Sequence, residues 1–303
     1  MTENNSTPDD KQAAGLTRKV TVVGLIINIL LSAIKFAAGT VGSSNALIAD
    51  AVHSLSDTAT DLAILVGVRF WSLPPDREHP YGHRRIETLI TFFIGLSLAA
   101  VAVGLIINSL SAEHSNRHNQ PELIALLGAL LSIVVKELLY RWTFIKGKSI
   151  KSTAVMANAW HHRSDGLSSI PAAIAITGAM INPSWAFLDH IGAIIVSVMI
   201  IQAAWRIGWP AIQQLIDAGA SPETIKKIEN IAISSEGVKS VHKIRSRNIG
   251  SGLQIDLHVK VDPQLTVSEG HDIASAVKYS LLESDMDILD VITHIEPCSR
   301  QLD

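Results

Sequence analysis

From about residue 20 to residue 210 the chain is built of long apolar blocks separated by short polar stretches. A helix needs about 20 mostly apolar residues to cross the hydrocarbon of a bilayer. Six blocks are that long, at about 20–40, 44–70, 86–109, 121–144, 153–181 and 186–209. The breaks read as turns: "GTVGSSN" after the first block, "HSNRHNQP" after the third and "MINPSW" after the fifth. The pattern predicts an all-α membrane domain of six helices. After Pro210 the periods shorten. "SPETIKKIENIAISSEG" predicts a helix capped by Ser221, with a glutamate closing a capping box. "VKSVHKIRSR" and "GLQIDLHVKV" predict strands. In the second, Leu253, Ile255, Leu257, Val259 and Val261 alternate with Gln254, Asp256, His258 and Lys260, the period of a strand with one buried face. "TVSEGHDIASAVKYSLLES" predicts an amphipathic helix and "DVITHIEP" a last strand. The order α-β-β-α-β predicts a small α+β domain with helices on one sheet face. The expected division is an arm 1–19, a six-helix transmembrane domain 20–210 and a C-terminal domain 211–303.

Basic residues orient the spans. Lys11, Arg18 and Lys19 lie in the arm, Arg69, Arg77, Arg84 and Arg85 around the second loop, and Arg141, Lys146, Lys148 and Lys151 around the fourth. The first and fifth loops have none, and the third has only Arg117. Lys and Arg stay on the cytoplasmic side, so both termini and the second and fourth loops are expected there. Across 303 residues, 48% are hydrophobic and 17% charged, a charged fraction below the roughly 25% of soluble domains. The net charge of -3 gives no reason to expect a nucleic-acid partner. The single cysteine, Cys298, excludes an intramolecular disulfide and a Cys-rich zinc finger. "MTENNSTPDDKQAAGLTRK" does not read as a cleavable signal, so the first span is expected to be retained. Low cysteine usage and the lack of a signal fit a bacterial inner membrane. Neither a nucleophile motif nor a phosphate loop is evident, so an enzyme is not expected.

Ionisable residues inside the apolar blocks carry the chemistry, because each costs about 2.5–3.5 kcal/mol at the bilayer centre. "ADAVHSLSD" places His53 and Asp57 four apart on one helical face, and "HHRSDGLSS" does the same with His161 and Asp165. Both pairs fall near the middle of their spans. If the two helices pack together, two imidazoles and two carboxylates form a neutral four-coordinate site for a dication. The alternative is that each pair only joins helix to helix. His162 points about 100° from His161 along the helix and reads as a packing contact. Asp50 and Asp61 extend the stripe of the second span, as an access path or as water-facing ends. Snorkelling or an ion pair accounts for Lys35, Lys136 and Glu137. In the second loop, "PPDREHPYGHRRIE", Asp76, His79 and His83 lie close together with Pro and Gly to bend the chain around an ion. In the tail, His294 and Glu296 share a strand face, His258 lies on another strand's polar face, and His242 and His271 add two imidazoles. Solvated surface groups are the competing reading of both polar clusters.

These motifs, with "VHKIRSR", "LHVKV", "EGHD" and "THIEPC", resemble those of the cation diffusion facilitator family over nearly the whole chain. The resemblance implies a homodimer in the lipid bilayer that exports a divalent metal from the cytoplasm in exchange for protons. It implies a transport site of His53, Asp57, His161 and Asp165, of a His-Asp/His-Asp kind similar to zinc-preferring members. It implies a loop site of Asp76, His79 and His83. It implies a ferredoxin-like, metallochaperone-like tail whose zinc site uses His242, His258, His271, His294 and Glu296 and supports the dimer. Glu296 stands where some relatives have Asp. Arg85 and Asp217 match positions of a charge interlock. Iron(II) or cobalt(II) export is the nearest alternative, and a non-transporting metal sensor the next.

Overall fold

A computed structural model describes residues 8–71, 73–114, 120–149, 152–250 and 252–298; the side chains of Asp57 and Asp61 are among those outside the description. The long helices are α1 (Pro8–Val41), α2 (Asn45–Trp71), α3 (Arg85–His114), α4 (Leu123–Ser149), α5 (Thr153–Ser168), α6 (Ile170–Ile181) and α7 (Phe187–Leu215). The fifth apolar block is thus two helices, broken at Ser169 with a proline in the first turn of α6. Pro171 has no N–H to continue the ladder of α5, so the break falls just before it. Among the described residues, five segments are long and apolar enough to cross a membrane: Lys19–Val41, Arg85–Ser111, Leu123–Ser149, Val155–Ile181 and Pro183–Leu215.

Residues group into two compact units, 1–65 with 93–207, and 66–92 with 208–303. In the first unit, alanine dominates the interior: Ala46, Ala49, Ala102, Ala125, Ala129, Ala172, Ala175 and Ala193 are buried, while Leu30, Ile107, Leu138 and Ile174 face outward. That inversion suits lipid, where apolar side chains gain nothing by hiding and helix association depends on close packing of small residues. At Gly128 the approach of α1 to α4 is so close that an added Cβ would stand 2.8 Å from the Cβ of Ala38.

The second unit has the opposite pattern. It contains α8 (Pro222–Ile233), β1 (Ser240–Ile249), β2 (Gly252–Val261), α9 (Val267–Leu282) and β3 (Ile288–Pro297). The sheet order is β1-β2-β3, antiparallel between β1 and β2 and parallel between β2 and β3. Leu253, Ile255, Leu257, Val259 and Val261 of β2 are buried against Ile228 and Ala232 of α8 and Val277 and Leu281 of α9. The expected α+β layer domain is present, with its polar face on the alternate residues of β2. One local expectation fails. Ser221 caps α8 by accepting the N–H of Thr224, but Thr224 occupies the third helical position, so Glu223 closes no box. The complete capping box belongs to α9, between Thr266 and Glu269.

Candidate functional site

Inside the first unit, α2 runs antiparallel to α5 and α6. Ser169 Oγ lies 3.1 Å from Asp50 Oδ1. Further along, Gly192 of α7 is wedged against Ala175 of α6 and Ala46 of α2. His53 on α2 and Asp165 on α5 each lie about one helical turn along the chain from the Asp50–Ser169 contact. The side chain of Asp57 lies outside the described residues. His53 is half-buried, and its Nδ1 is buried with no hydrogen-bond partner among the described residues. A buried orphan nitrogen is costly unless something else engages it.

Asp165 is nearly closed off and carries a cation on one oxygen. Lys136 Nζ of α4 stands 2.8 Å from Oδ2, and His161 Nδ1 stands 3.6 Å from Oδ1. His161 is 49% exposed and Asp165 7%. A second pair, Lys35 of α1 and Asp50, lies 2.9 Å apart and is fully buried. The ion-pair reading of both lysines holds, and Asp50 is no water-lined end residue. Glu137 pairs with Arg141 at 2.8 Å and Arg163 at 3.5 Å. His162 is buried beside Asn158 and Gly24, a packing position.

The second loop folds on Asp76. Its Oδ1 accepts the N–H of Glu78 at 2.9 Å and of His79 at 2.6 Å, and Gly82 takes a left-handed φ of +80° to turn the chain back. These turns bring His79 Nδ1 and His83 Nε2 each to 3.4 Å from the carboxylate. The backbone N–H of His79, above all, holds the Asp76 carboxyl below its ordinary pKa. In the same unit, Asp217 sits at φ +57°, where the chain leaves α7. Its Oδ1 accepts from Arg85 Nη2 at 2.5 Å.

In the tail, strand register makes the cluster. His242 pairs with His258 across β1–β2, and His258 with His294 across β2–β3, so three imidazoles form one row. Glu296, two residues beyond His294, shares their face. His258 Nδ1 lies 2.7 Å from Glu296 Oε1, His242 Nε2 3.1 Å from Oε2, and His294 Nε2 3.7 Å from Oε1. The ligand atoms of His242, His258 and Glu296 lie within 4.8 Å of one another. The hydrogen bond to His258 leads the causes that lower the Glu296 pKa, helped by the charges of His242, His258 and Lys243. His242 Nδ1 is buried, with no hydrogen-bond partner among the described residues. The donor set therefore fits a borderline divalent ion such as zinc. A bulge follows His242, with Lys243 at φ +50°, the kind of irregularity that re-aims a side chain. His271 is not in this group. It is exposed on α9 and lines a cleft of about 470 Å³ with Thr293 and His294.

Two family models cover the chain: the cation efflux transmembrane domain matches residues 21–216, and the cation efflux protein cytoplasmic domain matches 220–298. The chain belongs to the cation diffusion facilitator family. It is 36% identical to metal tolerance protein C1 of Arabidopsis thaliana over 299 residues, spanning 93% of this chain and 63% of that protein's length. It is 32% identical to the manganese efflux system protein MneP of Bacillus subtilis, spanning 93% of this chain and 96% of that one. Magnetosome protein MamB of Magnetospira is 31% identical over 89% of this chain and 92% of its own. Among solved structures, a nickel form of a variant C-terminal domain of MamM is similar at 24% identity and a TM-score of 0.26, covering 26% of this chain and all of that one. As a cation diffusion facilitator with several apolar spans, the chain is a multi-pass membrane protein.

Proposed function

We propose that this cation diffusion facilitator is a proton-coupled antiporter that exports a divalent metal, zinc first, from the cytoplasm. The observation that supports the reading is the contact of Asp50 on α2 with Ser169 at the end of α5, which lies within about one helical turn of both His53 and Asp165. His53, Asp57, His161 and Asp165 form the transport site in this reading. Metal requires neutral imidazole and ionised carboxylate, so loading competes with protons at the same atoms. Facing the cytoplasm the site releases protons and takes metal; facing outward, protons displace the metal and return inward. Imidazole, with an ordinary pKa near 6.5, titrates in the range this exchange needs.

The domain boundaries 1–19, 20–210 and 211–303 belong to the same proposal, with both termini cytoplasmic in a bacterial inner membrane. The distribution of Lys and Arg supports that orientation. The loop triad Asp76, His79 and His83 is a second cytoplasmic metal site. The tails pair two copies into a homodimer, and His242, His258, His294 and Glu296 would hold the tail's zinc, with His271 approaching across its cleft. Arg85 and Asp217 act as the charge interlock. A second reading, manganese(II) export, is favoured by the likeness to MneP; the two imidazoles weigh against it, because manganese prefers oxygen ligands. Uptake of zinc, manganese(II), iron(II), cobalt(II) and cadmium into proteoliposomes across an imposed pH gradient tests both readings. Zinc flux driven by the gradient is expected. Flux of manganese alone would transfer the assignment, and flux indifferent to the gradient would remove proton coupling.

A further inference from the structure

Two lysines lie buried in the first unit, and their surroundings differ. The Lys35 ammonium is enclosed: it donates to Ser54 Oγ and Ser169 Oγ at 2.9 Å each and forms an ion pair with Asp50 Oδ2 at 2.9 Å. These three contacts make this lysine an anchor tying α1 to α2 and to the α5–α6 break. The Lys136 ammonium has one hydrogen bond among the described residues, to Asp165 Oδ2 at 2.8 Å. Its stem runs past Gly166, where an added Cβ would come within 3.0 Å of the Lys136 Cβ. The glycine beside Asp165 thus leaves room for the lysine, which reaches the carboxylate from α4 rather than from either helix carrying a His-x-x-x-Asp turn.

We propose that Lys136 is the resident cation of the metal-free transport site, and that an incoming dication binds by displacing its ammonium from Asp165. The inference rests on the assignment of Asp165 to that site. Lys136 occupies Oδ2, while His161 Nδ1 at 3.6 Å from Oδ1 is too far for a hydrogen bond, so a dication on either oxygen would share the carboxylate with the ammonium, and the like charges repel. A metal–carboxylate bond of about 2.0–2.2 Å needs one of the two oxygens. An uncompensated buried carboxylate is costly in a low-dielectric interior, so the lysine makes the metal-free carrier tolerable. The same contact lowers metal affinity, since loading must break it, and speeds unloading, since the ammonium is at hand to take the carboxylate back. Lys136 is a positioning and specificity-determining residue: it sets how strongly a cation must bind before it is accepted.

Transport kinetics of zinc and of manganese(II) in proteoliposomes, on the full-length protein, test this. Lys136→Gln removes the competitor, so KM falls about tenfold or more while kcat also falls because release slows. Lys136→Arg keeps the charge and grips a carboxylate through two parallel N–H groups, so KM rises several-fold. A lysine that merely supports packing would not move KM in opposite directions in these two variants. If Lys136→Gln fails to yield a monodisperse protein, the Arg variant still decides: unchanged or lowered KM overturns the proposal. Asp165→Asn separates the two readings. If it abolishes flux while both Lys136 variants keep the wild-type KM, the resident-cation idea fails and the site assignment stands; if it transports normally, the site assignment fails as well.

Discussion

Asp165 and Glu296 are both carboxylates beside histidines, yet their partners differ in kind. Asp165 lies in a helical membrane unit and is held by a lysine, with an imidazole 3.6 Å from its other oxygen. Glu296 lies on a sheet face, and three imidazoles stand within 3.7 Å of it. Imidazoles already gathered round a carboxylate form a site that a metal enters without evicting a charge. A lysine on the carboxylate would make a site in which cations compete. On the proposed assignments, the first arrangement suits retention and the second turnover. The contrast follows from the surroundings: a half-exposed cluster keeps its charge through water and neighbouring imidazoles, while a carboxylate in a lipid-embedded bundle needs a fixed counter-charge.

The largest expected effect is on the membrane side. Asp165→Asn should cut metal flux by more than about 100-fold, exceeding the ten- to hundredfold losses seen when outer partners of metal ligands are removed. Glu296→Gln should change flux far less, yet weaken zinc binding by the tail about tenfold or more, read as zinc-dependent dimer stability by light scattering. Equal loss of flux in both variants would erase the distinction between turnover and retention.

A pH titration sharpens the same contrast. The folded-state pKa of Glu296 is lowered, chiefly by His258. Its stabilising contribution is therefore complete above the ordinary value of 4.5 and is lost as pH falls through the lowered one. The stability gap between wild type and Glu296→Gln, measured by thermal unfolding without metal, should close as pH falls below the ordinary carboxyl value of 4.5. A gap that widens on acidification would reverse the sign of this linkage. The smallest effect belongs to Asp217→Asn. Both partners of the Arg85 pair are near half exposure, and asparagine tolerates the same left-handed backbone. Its cost to unfolding stability should stay below about 1 kcal/mol.

The apolar blocks, the alternation along β2 and the order of elements in the tail were legible because burial against lipid or a core imposes a period on the sequence. The capping box sits on α9, where "TVSE" carries the Thr-x-x-Glu signal, and not on α8, where Glu223 stands one position early. The spacing of His53 from Asp57 and of His161 from Asp165 marks both membrane pairs as lying on single helical faces. Nothing in the spacing could say that Lys136 reaches Asp165 from α4, or that Lys35 joins Asp50 and Ser54, since 29 and 19 residues separate hydrogen-bonded members of these networks. The histidine row was half legible: alternation put His258 on the polar face, but only register and the bulge after His242 aligned it with His242 and His294.

The sequence by itself determined where the long apolar segments fall, which strand face is buried and which residue types could ligate a metal, because these follow from local period and chemistry. The tertiary structure alone decided what each ionisable group faces: lysine for Asp165, imidazoles for Glu296, and for His271 a cleft that it lines with His294. Electrostatic partnership depends on distances of a few ångströms between chain-distant atoms, and no periodicity along the chain encodes them.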